Sequence, residues 1–153
     1  MKLDLSLPPL SIPTLAALLF GAFAALATAS LHTVLSRFAG EAGIDEWIII
    51  AVPALLATLF GLIVYRNAAA RIREVGQSLS RGLLVAVLTW LGFSAMATWA
   101  WCVPSLYADC FQHTLMISGV LGGGQMLLAA LAAATILGYV IRKRIRVTGE
   151  EKE

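Results

Sequence analysis

Residues 11–36, 47–65, 82–108 and 110–141 contain no Asp, Glu, Lys or Arg. A helix rises 1.5 Å per residue, so a hydrocarbon layer of ~30 Å needs about 20 apolar residues to cross it. Each stretch reaches or nearly reaches that length. A soluble domain averages about 25% charged residues, and this chain of 153 residues is 13% charged and 59% hydrophobic, with a mean hydropathy of +0.86. A soluble core of that size cannot hide four apolar runs of this length. The expectation is an all-α membrane protein, a four-transmembrane-helix antiparallel bundle forming a single integral membrane domain over residues 1–153. Its spans cover residues 11–36, 47–65, 82–101 and 114–141, with a linker at 66–81 and loops at 37–46 and 102–113.

The charges between the spans are sorted by sign. Of the 11 Lys and Arg residues, all but Arg37 lie in the N-terminal tail, the 66–81 linker or the C-terminal tail. The 37–46 loop has one Arg against three acids, and the 102–113 loop has one acid and neither Lys nor Arg. The linker has four Arg against one Glu. Lys and Arg are retained in the cytoplasm, which predicts N-in/C-in insertion in a bacterial inner membrane with both loops outside. The net charge of +2 sits beside the spans. Topology accounts for it, and no nucleic-acid partner is expected.

A competing reading of the N-terminus exists. Lys2, the apolar run 15–26 and the triplet Ala27, Thr28, Ala29 resemble a secretory signal with an A-x-A site. Cleavage there would leave three spans. The leader before the run is long and rich in proline, and the apolar segment continues through Leu35. The uncleaved span is therefore retained.

Local signals place the ends of the spans. Ser11 is suited to cap the first helix with Pro13 in its first turn. Trp47 and Tyr65 bracket span two, and Trp99 and Trp101 close span three, as residues of an interfacial aromatic belt. Pro53 lies one turn inside span two. Residues 66–74 are good helix formers, so span two is expected to run on as a helix as far as Gly76. Pro104 ends span three.

Cys102 and Cys110 are the only cysteines, and both fall in the second outer loop. That compartment is oxidising, so a structural disulfide pinning spans three and four is expected. Unpaired thiols and a redox pair are the alternatives. Four spans with both ends inside and a cysteine pair in the second outer loop resemble the quinone-linked disulfide oxidases. That family also needs a C-x-x-C pair in the first outer loop, and residues 37–46 contain no cysteine, so membership is not assigned. His32 and His113 fall near the outer ends of spans one and four. They are read as interfacial or hydrogen-bonding groups, with haem or metal ligation and pH sensing as alternatives. No cofactor and no metal are expected. Mid-membrane depth holds no ionisable side chain, which disfavours a carrier driven by a carboxylate relay.

The spans are instead rich in small residues. Gly21, Ala25 and Ala29 recur at spacing four in span one. Span four carries Gly119 and Gly123, then Ala130, Ala134 and Gly138, again at spacing four. Such spacing puts small residues on one helix face, where backbones approach closely. That packing serves either this chain or another subunit. Gln125 sits near mid-depth just after the glycines. A buried amide needs partners, and Thr28, Thr58, Thr89 and Ser94 are the candidates.

Apart from the bilayer itself, the expected partner is a membrane protein or a second copy of the chain. The function expected is non-enzymatic: an accessory or assembly subunit acting through helix–helix contacts. Two alternatives stand beside it. One is an immunity-type protein against a pore-forming toxin, which the chain resembles in size, span count and orientation. The other is a small channel or carrier with a site near residues 122–125.

Overall fold

The computed structural model describes residues 10–39, 46–66 and 75–150. Five α-helices account for most of them: α1 (Ile12–Ala39), α2 (Glu46–Arg66), α3 (Val75–Trp101), α4 (Tyr107–Ser118) and α5 (Gly124–Glu150). A 3-10 turn, Pro104–Leu106, leads into α4, and a π-helical segment, Gly119–Gly123, joins α4 to α5. Four helical runs are long and apolar enough to cross a membrane: Ile12–Val34, Ile48–Arg66, Gly76–Trp101 and Pro104–Lys143.

The first helix starts as its sequence dictates. The Thr14 N–H donates to Ser11 Oγ at 3.3 Å, and Pro13 occupies the first turn, where a missing N–H costs nothing. Two boundaries differ from the sequence reading. Helix α3 begins at Val75, seven residues before the apolar run: residues 77–81 contain neither Gly nor Pro, and Leu79 packs against the core. The 102–113 loop is mostly helical. Only Cys102 and Val103 leave helical geometry. Pro104 fixes φ for the 3-10 turn, and residues 105–113 contain neither Gly nor Pro to stop a helix. The expected helical continuation of span two to Gly76 falls on residues 67–74, outside the described residues.

The four runs close a ring. α1 packs on α2, α2 on α3, α3 on α5, and α5 back on α1. Neighbours run antiparallel. The start of α1 meets the end of α2, where a Cβ on Gly61 would stand 3.4 Å from Ala17 Cα. The end of α2 meets the start of α3 through Tyr65 and Ser78, and Ser78 in turn meets α5 at Ala134.

Small residues let these backbones approach. Ala16, Ala24, Ala57, Ala130, Ala133 and Ala134 are all buried in the core. A Cβ on Gly21 would collide with the Thr58 hydroxyl, and one on Gly82 would stand 3.2 Å from the Ala130 carbonyl. Larger side chains fill the remaining space. Phe20 stacks at a tilt on Tyr65 with ring centroids 5.7 Å apart, beside Leu137 and Ile141.

Tyr65 is not an interfacial belt residue. It is 0% exposed, and its hydroxyl donates to the Ser78 carbonyl at 2.9 Å. Ser78 Oγ donates to the Ala134 carbonyl at 2.8 Å, so one buried polar cluster ties three helices at this end. The early start of α3 is what supplies Ser78. Trp99, by contrast, is 77% exposed.

Candidate functional site

The bundle is tight at the Tyr65 end and open at the Cys102 end. There α4 packs chiefly on α3. A cavity of about 350 Å³ separates α4 and the π segment from α1 and α2. Leu31, Trp90, Phe93, Trp101, Ile117 and Met126 supply its apolar and aromatic wall. Thr28, Thr114, Ser118 and Gln125 supply its polar side chains, and among the described residues no charged side chain lines it. Ile117 and Leu121, one turn apart and both exposed, stand at its edge.

Most of the polar groups around the cavity are already partnered. Trp90 Nε1 donates to Ser118 Oγ at 2.9 Å, and the Ser94 and Ser118 hydroxyls lie 3.1 Å apart. These bonds hold α4 on α3. Thr28 Oγ1 donates to the Ala24 carbonyl of its own helix at 2.8 Å. Pro53, buried inside α2, also lines the cavity, as does Ile49. Proline has no N–H to give to the carbonyl four residues back, here that of Ile49.

Gln125 differs from these. Its Oε1 is buried and has no hydrogen-bond partner among the described residues. The four hydroxyls expected to satisfy it are otherwise disposed. Thr28 and Thr58 bond back to the carbonyls of Ala24 and Ala54 in their own helices. Ser94 pairs with Ser118, and Thr89 Oγ1 is itself buried without a partner. An unsatisfied buried amide costs about 1–3 kcal/mol.

The π segment explains why Gln125 stands where it does. A π turn takes an extra residue, and one residue is worth about 100° of rotation in an α-helix. Side chains after residue 123 are therefore rotated from the positions that an unbroken helix would give. Gly119 lies against Trp90, where a Cβ would stand 3.0 Å from Cζ2. Gly123, four residues later, does not share that contact: a Cβ there would meet nothing within 4 Å. The spacing-of-four reading presumed an α-helical turn, and the turn between these two glycines is not one. Gly119 and Gly123 nevertheless both border a second, outward-facing groove of about 220 Å³ between α3 and α5, with Leu83, Val87 and Leu127 on its rims.

The other residues singled out from the sequence fall into separate places. Gly21 is buried against α2, with Ala25 and Ala29 half-buried on α1. Ala130, Ala134 and Gly138 are buried on the core side of α5. Cys102 and Cys110 stand at disulfide distance with Cα atoms 6.4 Å apart, across the break between α3 and α4. His113 is exposed on α4, its Nδ1 2.7 Å from the Asp109 carbonyl. His32 is half-buried on α1. Neither histidine lines the cavity. Among the described residues no three His, Cys, Asp or Glu side chains gather as a metal site. Sequence reasoning missed the close approaches of Gly61 and Gly82 and the Trp90 to Ser118 bond. A single glycine without a spaced partner gives no periodic signal, and the bond joins residues 28 apart in sequence.

Comparison with protein-family models, with curated proteins and with solved structures finds no match to this chain.

Proposed function

We propose that this chain is a non-enzymatic accessory or assembly subunit of a bacterial inner membrane, inserted N-in/C-in, that works by accepting a transmembrane helix of a partner or of a second copy. The observation that carries this reading is the open groove at Gly123, where a Cβ would meet nothing of the chain within 4 Å. Lipid gives no hydrophobic drive for helix association, so contact must come from backbones that can approach closely. Gly123, flanked by Leu83, Val87 and Leu127, offers such an approach on the outside of the bundle.

The sorting of Lys and Arg supports the orientation. The helical run Pro104–Lys143 is 40 residues long. At 1.5 Å per residue it is about twice the length of a ~30 Å hydrocarbon core. Part of α4 or the basic end of α5 therefore projects beyond the core in this reading. The non-enzymatic reading is supported by the cavity lining, which among the described residues is made of aliphatic, aromatic, hydroxyl and amide side chains.

The test is co-purification in mild detergent of the full chain and of Gly123→Leu. Wild type is expected to carry a partner or to dimerise, and Gly123→Leu is expected to run alone with its helix content unchanged. A wild-type chain that is a lone monomer both in detergent and in cross-linked membranes overturns the proposal.

A further inference from the structure

The cavity at the Cys102 end shares Trp90, Gly123 and Met126 with the outer groove, but it alone is lined by Gln125 and by α1, which gives it its own chemistry. We infer that it is a binding site for one neutral, hydroxyl-bearing lipophile drawn from the bilayer, held by a hydrogen bond to the Gln125 carboxamide. Three observations converge on this occupant. The volume of about 350 Å³ sits at the low end of the ~300–1,000 Å³ range of small-molecule sites, which suits a single slender molecule and not a whole phospholipid. The lining is mainly aliphatic and aromatic and, among the described residues, carries no charge, so an ionised headgroup would be desolvated without compensation. Among the described residues, Gln125 is the one lining side chain with an unpartnered buried acceptor. A hydroxyl both donates and accepts, and so matches a carboxamide, which does the same.

The surrounding structure selects against other occupants. Ser118 and Thr28 already use their hydroxyls within the protein, which leaves Gln125 and the Thr114 hydroxyl for polar recognition. A molecule with several polar groups would leave most of them unsatisfied, and a pure hydrocarbon would leave the amide unsatisfied. Entry is from the side, past the exposed Ile117 and Leu121, and not from water.

The experiment uses the full chain in phosphatidylcholine vesicles. It is titrated with a long-chain alcohol brominated at its far end and with the brominated alkane of the same length. Bromine quenches tryptophan fluorescence, and Trp90 and Trp101 both line the cavity. The alcohol is expected to add a saturable component to the quenching, and the alkane only a component proportional to its concentration. Gln125→Met keeps the side-chain length, and is expected to weaken the saturable component about tenfold, the size of one lost neutral hydrogen bond in an apolar site, while leaving the alkane unchanged. Ala27→Leu fills the cavity from α1 and is expected to abolish the saturable component with helix content unchanged. Identical behaviour of alcohol and alkane in the wild type overturns the inference without any variant being needed. So does an unchanged affinity in Gln125→Met, or saturable quenching that survives Ala27→Leu.

Discussion

Replacing Tyr65 by Phe removes one hydroxyl and little else. If the ring were anchored at a membrane interface, that hydroxyl would exchange one polar environment for another and the change would be nearly neutral. In this bundle the residue is 0% exposed. Its single proton goes to the Ser78 carbonyl at 2.9 Å, while the Ser78 proton goes to the Ala134 carbonyl at 2.8 Å. Tyr65→Phe therefore deletes one interhelical bond, and Ser78→Ala deletes another. Interhelical hydrogen bonds in membrane bundles average ~0.6 kcal/mol and reach ~1.7. Full burial favours the upper half of that range, so each variant is expected to lose about 1 kcal/mol. The two bonds share no proton, and the direct contact between the Tyr65 and Ser78 hydroxyls is long, at 3.3 Å. The double variant should then be additive to within about 0.5 kcal/mol. The assay is reversible unfolding in mixed micelles by increasing fraction of sodium dodecyl sulfate, followed by circular dichroism. Trp99→Phe serves as an exposed aromatic control. A Tyr65→Phe effect no larger than that of Trp99→Phe would refute the buried cluster. A coupling above ~1 kcal/mol would refute the assignment of two separate bonds.

Three further outcomes are expected in the same assay. Gly82→Val should destabilise by about 1–3 kcal/mol, because its side chain meets Ala134 Cβ at 2.5 Å; Gly123→Ala, with open space, should be neutral or up to about 1 kcal/mol stabilising from helix propensity. Replacing both Cys102 and Cys110 by Ser should cost about 2.5 kcal/mol, from the loop-closure entropy of an eight-position separation, and reducing agent should reproduce that loss in the wild type. Gln125→Leu should raise the stability of the ligand-free bundle by about 1 kcal/mol, since it removes a buried acceptor without a partner. A loss of stability in that variant would mean that the amide is satisfied within the protein.

Helix content and the number of long apolar runs were legible in the sequence because each is a local property. A charge-free run of about 20 residues or more declares itself whatever it packs against. The small-residue periodicity of α5 at Ala130, Ala134 and Gly138 was also legible, and all three are buried. The candidate site was only half legible. Residues 122–125 stand out in the sequence for their glycines and amide. What the amide faces depends on whether hydroxyls on other helices turn toward it or back to their own carbonyls. Thr28 and Thr58 both turn back, a choice set by rotamer and packing that spacing along the chain does not record. Tyr65 was misplaced for a related reason. An aromatic at the end of an apolar run reads as an interfacial anchor, and only the early start of α3 brings Ser78 over it.

The sequence by itself determined how many helical runs are apolar enough to cross a membrane, and on which sides of them the charges lie. Those follow from length, hydropathy and sign, which add up residue by residue. Tertiary structure alone decided which glycines touch a neighbour, which hydroxyls are already spent and where space is left. The π segment at Gly119–Gly123 shows why. One turn of different pitch separates Gly119 from Gly123. The same turn sets the rotation of α5 against the ring, leaving one groove on the outside and one cavity at the Cys102 end.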